Sequence, residues 1–339
     1  MLFRLCLIGF GNVGHELVKL IDRKRAELRS GYDLDLQIVG IATGRHGIVM
    51  NRDGLDGLTA IDDWSRLLRF TTHPPDALSL IRECGADAMI EMTPINRDTG
   101  RPAIDHIETA LLAAGQHAIT ANKGPLAHDC RRLRDLARRA SRAFLFESTV
   151  MDGFPLFNLY RECLPATQVL SFRGVLNSTT NLILTKMEEG MSFGDAVKHA
   201  QDIGIAETDP SNDIDGWDSA VKVTALCNVM MDADIRPQQV ARTGIRGITP
   251  EQVKRAMRQG KKIRLMCAAE LRGGQLVTRV APEEVGPDDA AYRLYGTTSV
   301  IAIRTDTLNQ LTLLETAPTP AQTAFGVLAD ILSAARGHF

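Results

Sequence analysis

The chain has 339 residues, 24% of them charged, and its 39 Lys and Arg against 41 Asp and Glu give a net charge of −2. That balance excludes a polyelectrolyte partner such as nucleic acid, and no apolar run reaches the roughly 20 residues of a membrane span. The length accommodates two domains with ordinary cores; six cysteines (Cys6, Cys84, Cys130, Cys163, Cys227, Cys267) without a close pair indicate neither a zinc site nor a disulfide framework, so a reducing, cytoplasmic setting without a signal peptide is expected.

In chain order, the apolar run Leu2 to Ile8 reads as a strand. Gly9-Phe10-Gly11-Asn12-Val13-Gly14 follows, and then His15, Glu16, Leu17, Val18, Leu20 and Ile21 at helical spacing. Glycines at those offsets permit a tight turn, let the backbone approach a pyrophosphate, and let the helix pack on the strand with phosphates at its N-terminus. Placed between a strand and a helix, the pattern predicts a dinucleotide site; a glycine-rich structural turn is the plainer alternative. Leu36 to Ala42 is the second strand. An acid at its end would hold the ribose 2′-hydroxyl of NAD, but the chain reads Ala42-Thr43-Gly44-Arg45-His46, and Arg45 suits the 2′-phosphate of NADP.

Residues 59 to 83 read as a surface helix and connection, and Ala86 to Met92 as a strand that leaves the sheet at Thr93-Pro94. A helix from Pro102 to Ala114 ends at Gly115, and the strand His117 to Thr120 runs into Ala121-Asn122-Lys123-Gly124-Pro125. Thr93, Pro94 and Lys123 thus stand at C-terminal strand ends, where open α/β sheets bind their ligands. A basic helix, Asp129 to Arg142, and the strand Phe144 to Phe146 complete a Rossmann-type domain of about 150 residues.

The character then changes. The strand Val169 to Val175 leads into Leu176-Asn177-Ser178-Thr179-Thr180-Asn181, whose amides and hydroxyls could hold a polar ligand or cap the helix Leu182 to Glu189. Ser192 and Asp195 start a helix that Gly204 stops. The stretch Gly204 to Lys222 holds Glu207, Asp209, Asp213, Asp215 and Asp218, and it leads directly into the apolar run Ala220, Val221, Val223, Ala225, Leu226, Val229, Met230. A helix starting near Gly216 puts Asp218 and Lys222 on one face, one turn apart. A solvated pair of that kind contributes only about 0.3 to 0.5 kcal/mol, so the functional reading rests on Glu207 and Asp213 in the loop just upstream. Thr249 caps a helix from Pro250 to Gly260; Ile263 to Leu271 and Gln275 to Pro282 read as antiparallel strands around Gly273-Gly274; Ser299 to Thr305 and Leu311 to Leu314 add strands, and Pro320 to Ala335 is the last helix.

With the glycine turn, Thr93-Pro94, Thr120-Ala121-Asn122-Lys123, Glu147 to Pro155, Gly174 to Asn181 and above all Glu207-x-Asp-Pro-x-x-Asp213-x-x-Gly-x-Asp218-x-x-x-Lys222 in view, the chain resembles the homoserine dehydrogenase family over nearly its whole length. The resemblance implies an α/β fold: a doubly wound Rossmann domain of residues 1–149, joined by 305–339, and an α+β substrate and dimerisation domain of 150–304. It implies interconversion of L-homoserine and L-aspartate 4-semialdehyde with NADP, NAD being possible, in threonine, methionine and isoleucine biosynthesis, by a homodimer. Lys123 and Lys222 would flank the reacting oxygen, Glu207 and Asp218 hold the substrate, and Asp213 support the pocket. Glu147 and the Val150 carbonyl would belong to a Na+ or K+ site.

The chemistry suits these residue types. Hydride leaves the alcohol carbon only as the hydroxyl loses its proton, so a base must be in reach, and a lysine serves near neutral pH where desolvation or a second cation lowers its pKa. The substrate ammonium requires carboxylates, and its carboxylate could meet backbone amides or the run holding Asn177 and Thr179. Three departures from the family pattern stand out: Ser178 for a common Gly, Met151-Asp152 for glycine-rich residues, and Glu315-Thr316-Ala317-Pro318-Thr319 for a Gly-Pro-Gly-Ala-Gly loop that lies against the cofactor. No ACT domain, and hence no threonine control through one, is expected. Two alternatives remain at this point: a paralogous dehydrogenase acting on another small amino-acid alcohol, which a substrate panel would reveal, and a non-catalytic NADP-binding regulatory protein, which would bind the nucleotide without hydride transfer.

Overall fold

The apolar run Leu2–Ile8 forms β1, the centre of a six-stranded sheet in the computed structural model, which describes residues 1–339. The sheet order is β3-β2-β1-β4-β5-β6, with β2 (Asp35–Thr43), β3 (Gly47–Leu55), β4 (Ala88–Glu91), β5 (His117–Thr120) and β6 (Phe144–Leu145). All neighbours pair in parallel except β2 with β3. Leu5, Cys6, Leu7 and Ile8 are all buried, as a strand covered on both faces requires, and this explains its unbroken apolar sequence. Helix α1 (Asn12–Tyr32) and the C-terminal helix (Pro320–Ala335) share one core with β1, in which Leu17, Val18 and Ile21 meet Ala324, Val327, Leu328 and Ile331.

By contact the chain divides into two compact units, Met1–Leu159 with Thr319–Phe339, and Tyr160–Pro318. The sequence placed the divisions at 149/150 and 304/305; the strand Leu311–Glu315 pairs within the second unit's sheet. That sheet has the order β12-β11-β7-β9-β10-β8, with β7 (Val169–Val175), β8 (Ala241–Arg242), β9 (Lys262–Arg272), β10 (Gln275–Val285), β11 (Ser299–Thr305) and β12 (Leu311–Glu315). Its pairings are antiparallel apart from the short β8 on β10.

Two elements that begin in the first unit were not expected. The strand β3 reads as loop because Gly47, Asn51, Asp53 and Gly54 interrupt it and only Val49 is buried; as an edge strand antiparallel to β2 it turns Thr43–Gly47 into a hairpin tip. Helical turns over Leu156–Cys163 were likewise missed. The basic helix, α2 (Gly124–Ala140), begins five residues before the expected Asp129, with Pro125 in its first turn, and Asp129 marks a kink at φ −153°. No helix is long and apolar enough to cross a membrane, and all six cysteines are free.

In the second unit, α3 (Ser178–Glu188) starts earlier than the expected Leu182, directly behind β7, and α4 (Phe193–Asp202) follows with Ser192 as its cap. Helix α5 (Trp217–Met230) is apolar around its circumference: from Ser219 to Met230 every residue except Lys222 is buried. A helix of that kind belongs to a core, and Lys222, its one charged side chain beyond the first turn, is therefore placed by the core rather than by solvent.

Candidate active site

In the first unit, the glycine turn owes its form to what is missing. Gly9 has φ +93°, and a Cβ there would lie 2.6 Å from the carbonyl carbon of Met92 and 2.8 Å from the Thr93 amide nitrogen, so only glycine fits. Gly14 allows the close packing of α1, since a Cβ would meet the Phe10 ring at 3.2 Å and the Gly9 carbonyl at 3.3 Å. Around Gly11, the N-cap of α1, a Cβ would meet nothing within 4 Å. The helix has no side-chain cap and no acid in its first turn, so the orphan N–H groups at Asn12, Val13 and Gly14 face an open cradle with the positive end of the helix dipole behind it. A pyrophosphate fits there on donor chemistry and on space. Phe10 stacks edge-on to His15 with ring centroids 4.8 Å apart, and Trp64 lies 6.4 Å from Phe10 and 5.8 Å from His46.

Arg45 is exposed at the tip of the β2–β3 hairpin, beside His46, whose amide donates to Thr43 Oγ1 at 2.7 Å. The Gly9 amide donates to the Ala42 carbonyl at 3.0 Å, so this tip and the glycine turn are neighbours at the same end of the sheet.

At the ends of β4 and β5 the expected residues are tied together. Asn122 Nδ2 donates to the Thr93 carbonyl at 3.0 Å and more weakly to that of Pro94 at 3.4 Å, while Asn122 Oδ1 accepts from the Gly124 amide at 2.8 Å. Lys123 stands between these two anchored residues as the N-cap of α2. Behind them lies fully buried Glu91, whose Oε1 accepts from the Thr93 amide at 2.8 Å and from the Thr93 hydroxyl, and whose Oε2 meets His106 Nδ1 at 2.5 Å. The sequence reading passed over Glu91, although an acid closing an otherwise apolar strand was the signal to find it.

Glu147 is buried, and its carboxylate accepts from the amides of Phe157 at 2.8 Å and Asn158 at 2.6 Å; its own amide donates to Asp330 Oδ2 at 2.7 Å. The Glu147–Asp152 loop is fastened to the C-terminal helix, Ser148 Oγ donating to the Thr323 carbonyl at 2.6 Å and Thr323 Oγ1 to Asp152 at 3.1 Å. Two of the three departures from the family pattern acquire a common description here. Met151 (φ +59°), Asp152 (φ +49°) and Ala317 (φ +46°) all hold the left-handed conformation that glycine adopts without strain.

In the second unit, five expected residues converge. Asn177 caps α3, its Oδ1 accepting from the Thr180 amide at 2.8 Å, and its Nδ2 donates to both Asp213 Oδ1 (2.7 Å) and Asp218 Oδ2 (3.0 Å). Lys222 Nζ lies 2.9 Å from Asp218 Oδ2 and donates to the Leu176 carbonyl at 2.6 Å. The Lys222 and Asp218 side chains are only 15% and 17% exposed, so this is not the solvated surface pair that their spacing also allowed. Burial, and then the neighbouring Asp218 charge, push the Asp213 carboxyl above the ordinary carboxylate range, against the opposing pull of Asn177, Lys222 and Thr179. Thr179 Oγ1 also lies 3.3 Å from the Ile205 carbonyl.

Glu207 stands apart from this group: its side chain is exposed, and its carbonyl accepts from Gln201 Nε2 at 3.2 Å. Asp215 has a different duty, forming a two-pronged ion pair with Arg246 at 2.8 and 3.0 Å. The Leu176 carbonyl escaped the sequence reading because a backbone acceptor leaves no residue-type signal. Two carboxylates and one ammonium around a shared amide make a cluster with surplus negative charge, suited to a small cationic ligand.

Comparison with known proteins agrees with this chemistry. A family model described as the homoserine dehydrogenase NAD binding domain matches residues 9–147, and one described as homoserine dehydrogenase matches residues 155–332. The homoserine dehydrogenase of Methanocaldococcus jannaschii is 35% identical over 334 residues, with 97% of each chain covered. An NAD(+)-dependent homoserine dehydrogenase of Pseudomonas canavaninivorans is 32% identical, covering 97% of this chain and 95% of the relative. Among solved structures, a hyperthermophilic archaeal homoserine dehydrogenase mutant in complex with NADPH matches with a TM-score of 0.82 at 28% identity, over 99% of this chain and 98% of the other. The S. aureus homoserine dehydrogenase matches with 0.79 at 26% identity, over 99% and 76%.

Proposed function

Because the chain belongs to the homoserine dehydrogenase family, NAD(P)-dependent oxidoreductases acting on a CH–OH group, we propose that its catalytic step is carried by Lys222 and Lys123. The observation that carries this reading is the placement of Lys222: the one charged side chain beyond the first turn of a buried helix, with its ammonium held between Asp218 of that first turn and the Leu176 carbonyl. So restrained, it can take the proton of the substrate hydroxyl as the carbon gives up hydride, and return it in the reverse direction. Lys123 supplies a second ammonium at the reacting oxygen. Asp218 keeps Lys222 aimed, Asp213 and Asn177 support Asp218, and this acidic group receives the substrate ammonium, with Glu207, whose exposed side chain stands outside the group, proposed as a further carboxylate for the bound substrate. The substrate carboxylate is met by the amides and hydroxyls of the run that holds Asn177 and Thr179.

The nicotinamide cofactor, when bound, accepts or donates the hydride. Residues Gly9, Phe10, Gly11, Asn12, Val13 and Gly14 would hold its pyrophosphate, Thr93, Pro94 and Lys123 its reactive end, and Arg45 a 2′-phosphate, which makes NADP the preferred form. Glu147 and the Val150 carbonyl are proposed at a Na+ or K+ site; since the Glu147 carboxylate already accepts two N–H bonds, carbonyl oxygens would be the principal ligands. A cytoplasmic homodimer acting in threonine, methionine and isoleucine biosynthesis completes the proposal. The division of labour is proposed to follow the two units, Met1–Leu159 with Thr319–Phe339 for the cofactor and Tyr160–Pro318 for the substrate and dimerisation, in place of the expected 1–149 with 305–339 and 150–304.

The test is absorbance at 340 nm with L-homoserine, NADP⁺ and NAD⁺ being run side by side against a panel of other small amino-acid alcohols. Homoserine-dependent growth that is faster with NADP⁺ is expected. Faster turnover of another alcohol would overturn the substrate assignment, and a preference for NAD⁺ would remove the role given to Arg45. The alternatives of a paralogous dehydrogenase or a non-catalytic binding protein are not favoured by relatives that are homoserine dehydrogenases over 97% of the chain.

A further inference from the structure

The geometry points to Glu91 and His106 as positioning residues that set the cofactor-facing loops without touching substrate, an inference that rests on the function proposed above. Glu91 is the last residue of β4, its side chain 0% exposed, in a strand that is otherwise Ala, Met and Ile. A carboxylate in such a place is costly to bury, and a Val or Ile would satisfy the strand equally well. What the carboxylate does there is visible in its partners. Its Oε1 collects both donors of Thr93, the amide at 2.8 Å and the hydroxyl, which forces the chain to turn inward immediately after the strand. Its Oε2 is fixed by His106 Nδ1 at 2.5 Å from the helix Ala103–Glu108, so the carboxylate plane cannot rotate away.

The consequence reaches both strand ends. With Thr93 drawn inward, its carbonyl faces Asn122 Nδ2 at 3.0 Å. Asn122 in turn holds the Gly124 amide at 2.8 Å, and the backbone between those two anchors is Lys123. On the other side, Thr93 and Met92 form the wall against which Gly9 is packed too closely for any Cβ. One buried dyad therefore controls the glycine turn, the Thr93-Pro94 corner and the Lys123 backbone together. Displacing a positioned group by about 1 Å is enough to cost roughly 100-fold in rate, so a support of this kind has leverage that its distance from the substrate conceals.

The test is the variant Glu91→Gln, which keeps the shape and one acceptor for Thr93 but replaces the oxygen facing His106 with an NH2. The expected result is a Tm near that of the parent, NADPH binding weakened roughly 10-fold in a fluorescence titration, and a raised primary deuterium isotope effect on kcat with homoserine deuterated at its carbinol carbon. A purely structural role would lower the Tm and leave the isotope effect unchanged, and that pattern overturns the inference. Unchanged NADPH binding together with an unchanged isotope effect overturns it as well. If Glu91→Gln does not fold, His106→Asn is measured in the same way, and loss of the fold in both variants assigns the pair a structural role. Absence of homoserine turnover in the parent protein removes the proposed function instead, and the NADPH titration alone then decides on Glu91.

Discussion

Helix α1 begins under a bare glycine, with no side-chain cap, no acid in its first turn and open space where a Cβ of Gly11 would project, whereas α3 begins under Asn177, whose side chain is spent in full on one amide and two carboxylates. The first helix start offers unmet donors to a ligand. The second satisfies its own cap and uses what remains to gather side chains from α5 and from the short helical turn Ser211–Ile214 before it, which the sequence reads as loop. A site made from vacancy is sensitive to anything added, and one made from mutual contacts is sensitive to anything removed; substitutions can separate the two cases.

The largest effect is expected at the glycine turn. Gly9→Ala adds a methyl 2.6 Å from the Met92 backbone at φ +93°, and should cost roughly 3 kcal/mol of stability and abolish measurable NADPH binding. Chemical denaturation and a binding titration check this, and a variant that binds NADPH normally would break the picture of a turn held open by absence. A smaller and oppositely signed effect is expected at Asp213. Its folded pKa lies above the ordinary 3.8, so the native state holds a proton that the unfolded chain has released, and stability falls as pH rises through that window. Asp213→Asn removes this penalty while keeping an acceptor for Asn177. Its Tm at pH 7 should equal or exceed that of the parent even as KM for homoserine rises, and a Tm loss greater at pH 7 than at pH 5 would count against it.

The smallest effect lies away from both sites. Burial chiefly, and Arg142 secondarily, lower the His117 pKa from 6.5 to about 4, and its Nδ1 accepts from the Ala143 amide at 2.9 Å. Here the unfolded chain binds the extra proton, so stability is lost as pH falls from 6.5 towards 4. In His117→Asn, urea midpoints between pH 7 and pH 5 should converge relative to the parent, and an unchanged acid loss would assign it to other groups.

Much of this was legible in the sequence for a physical reason. The glycine turn is a local feature, and a strand, three glycines and an amphipathic helix specify it within about 20 residues. The strands Leu2–Ile8, His117–Thr120, Val169–Val175 and Ser299–Thr305 and the helix Pro320–Ala335 coincide with the expected spans, because each is apolar enough and bounded by clear breakers. The strand β3 was hidden because an edge strand with one buried valine has no period to read. At the second site the residue types were legible but their partners were not. Asn177 could be recognised as a cap or as a ligand, and only the fold shows it serving α3, Asp213 and Asp218 at once, across separations of 36 and 41 residues. Glu207 shows the converse, since its place in the acid pattern does not bring its side chain into the cluster.

The most direct measurement compares kcat for homoserine oxidation in the parent, Lys222→Ala and Lys123→Ala, with NADPH binding confirmed for each. A fall of at least roughly 100-fold in both variants, with cofactor still bound, is the expected result for groups that move or steer the proton. Near-normal turnover in both would contradict the assignment of the proton-transfer step to these lysines.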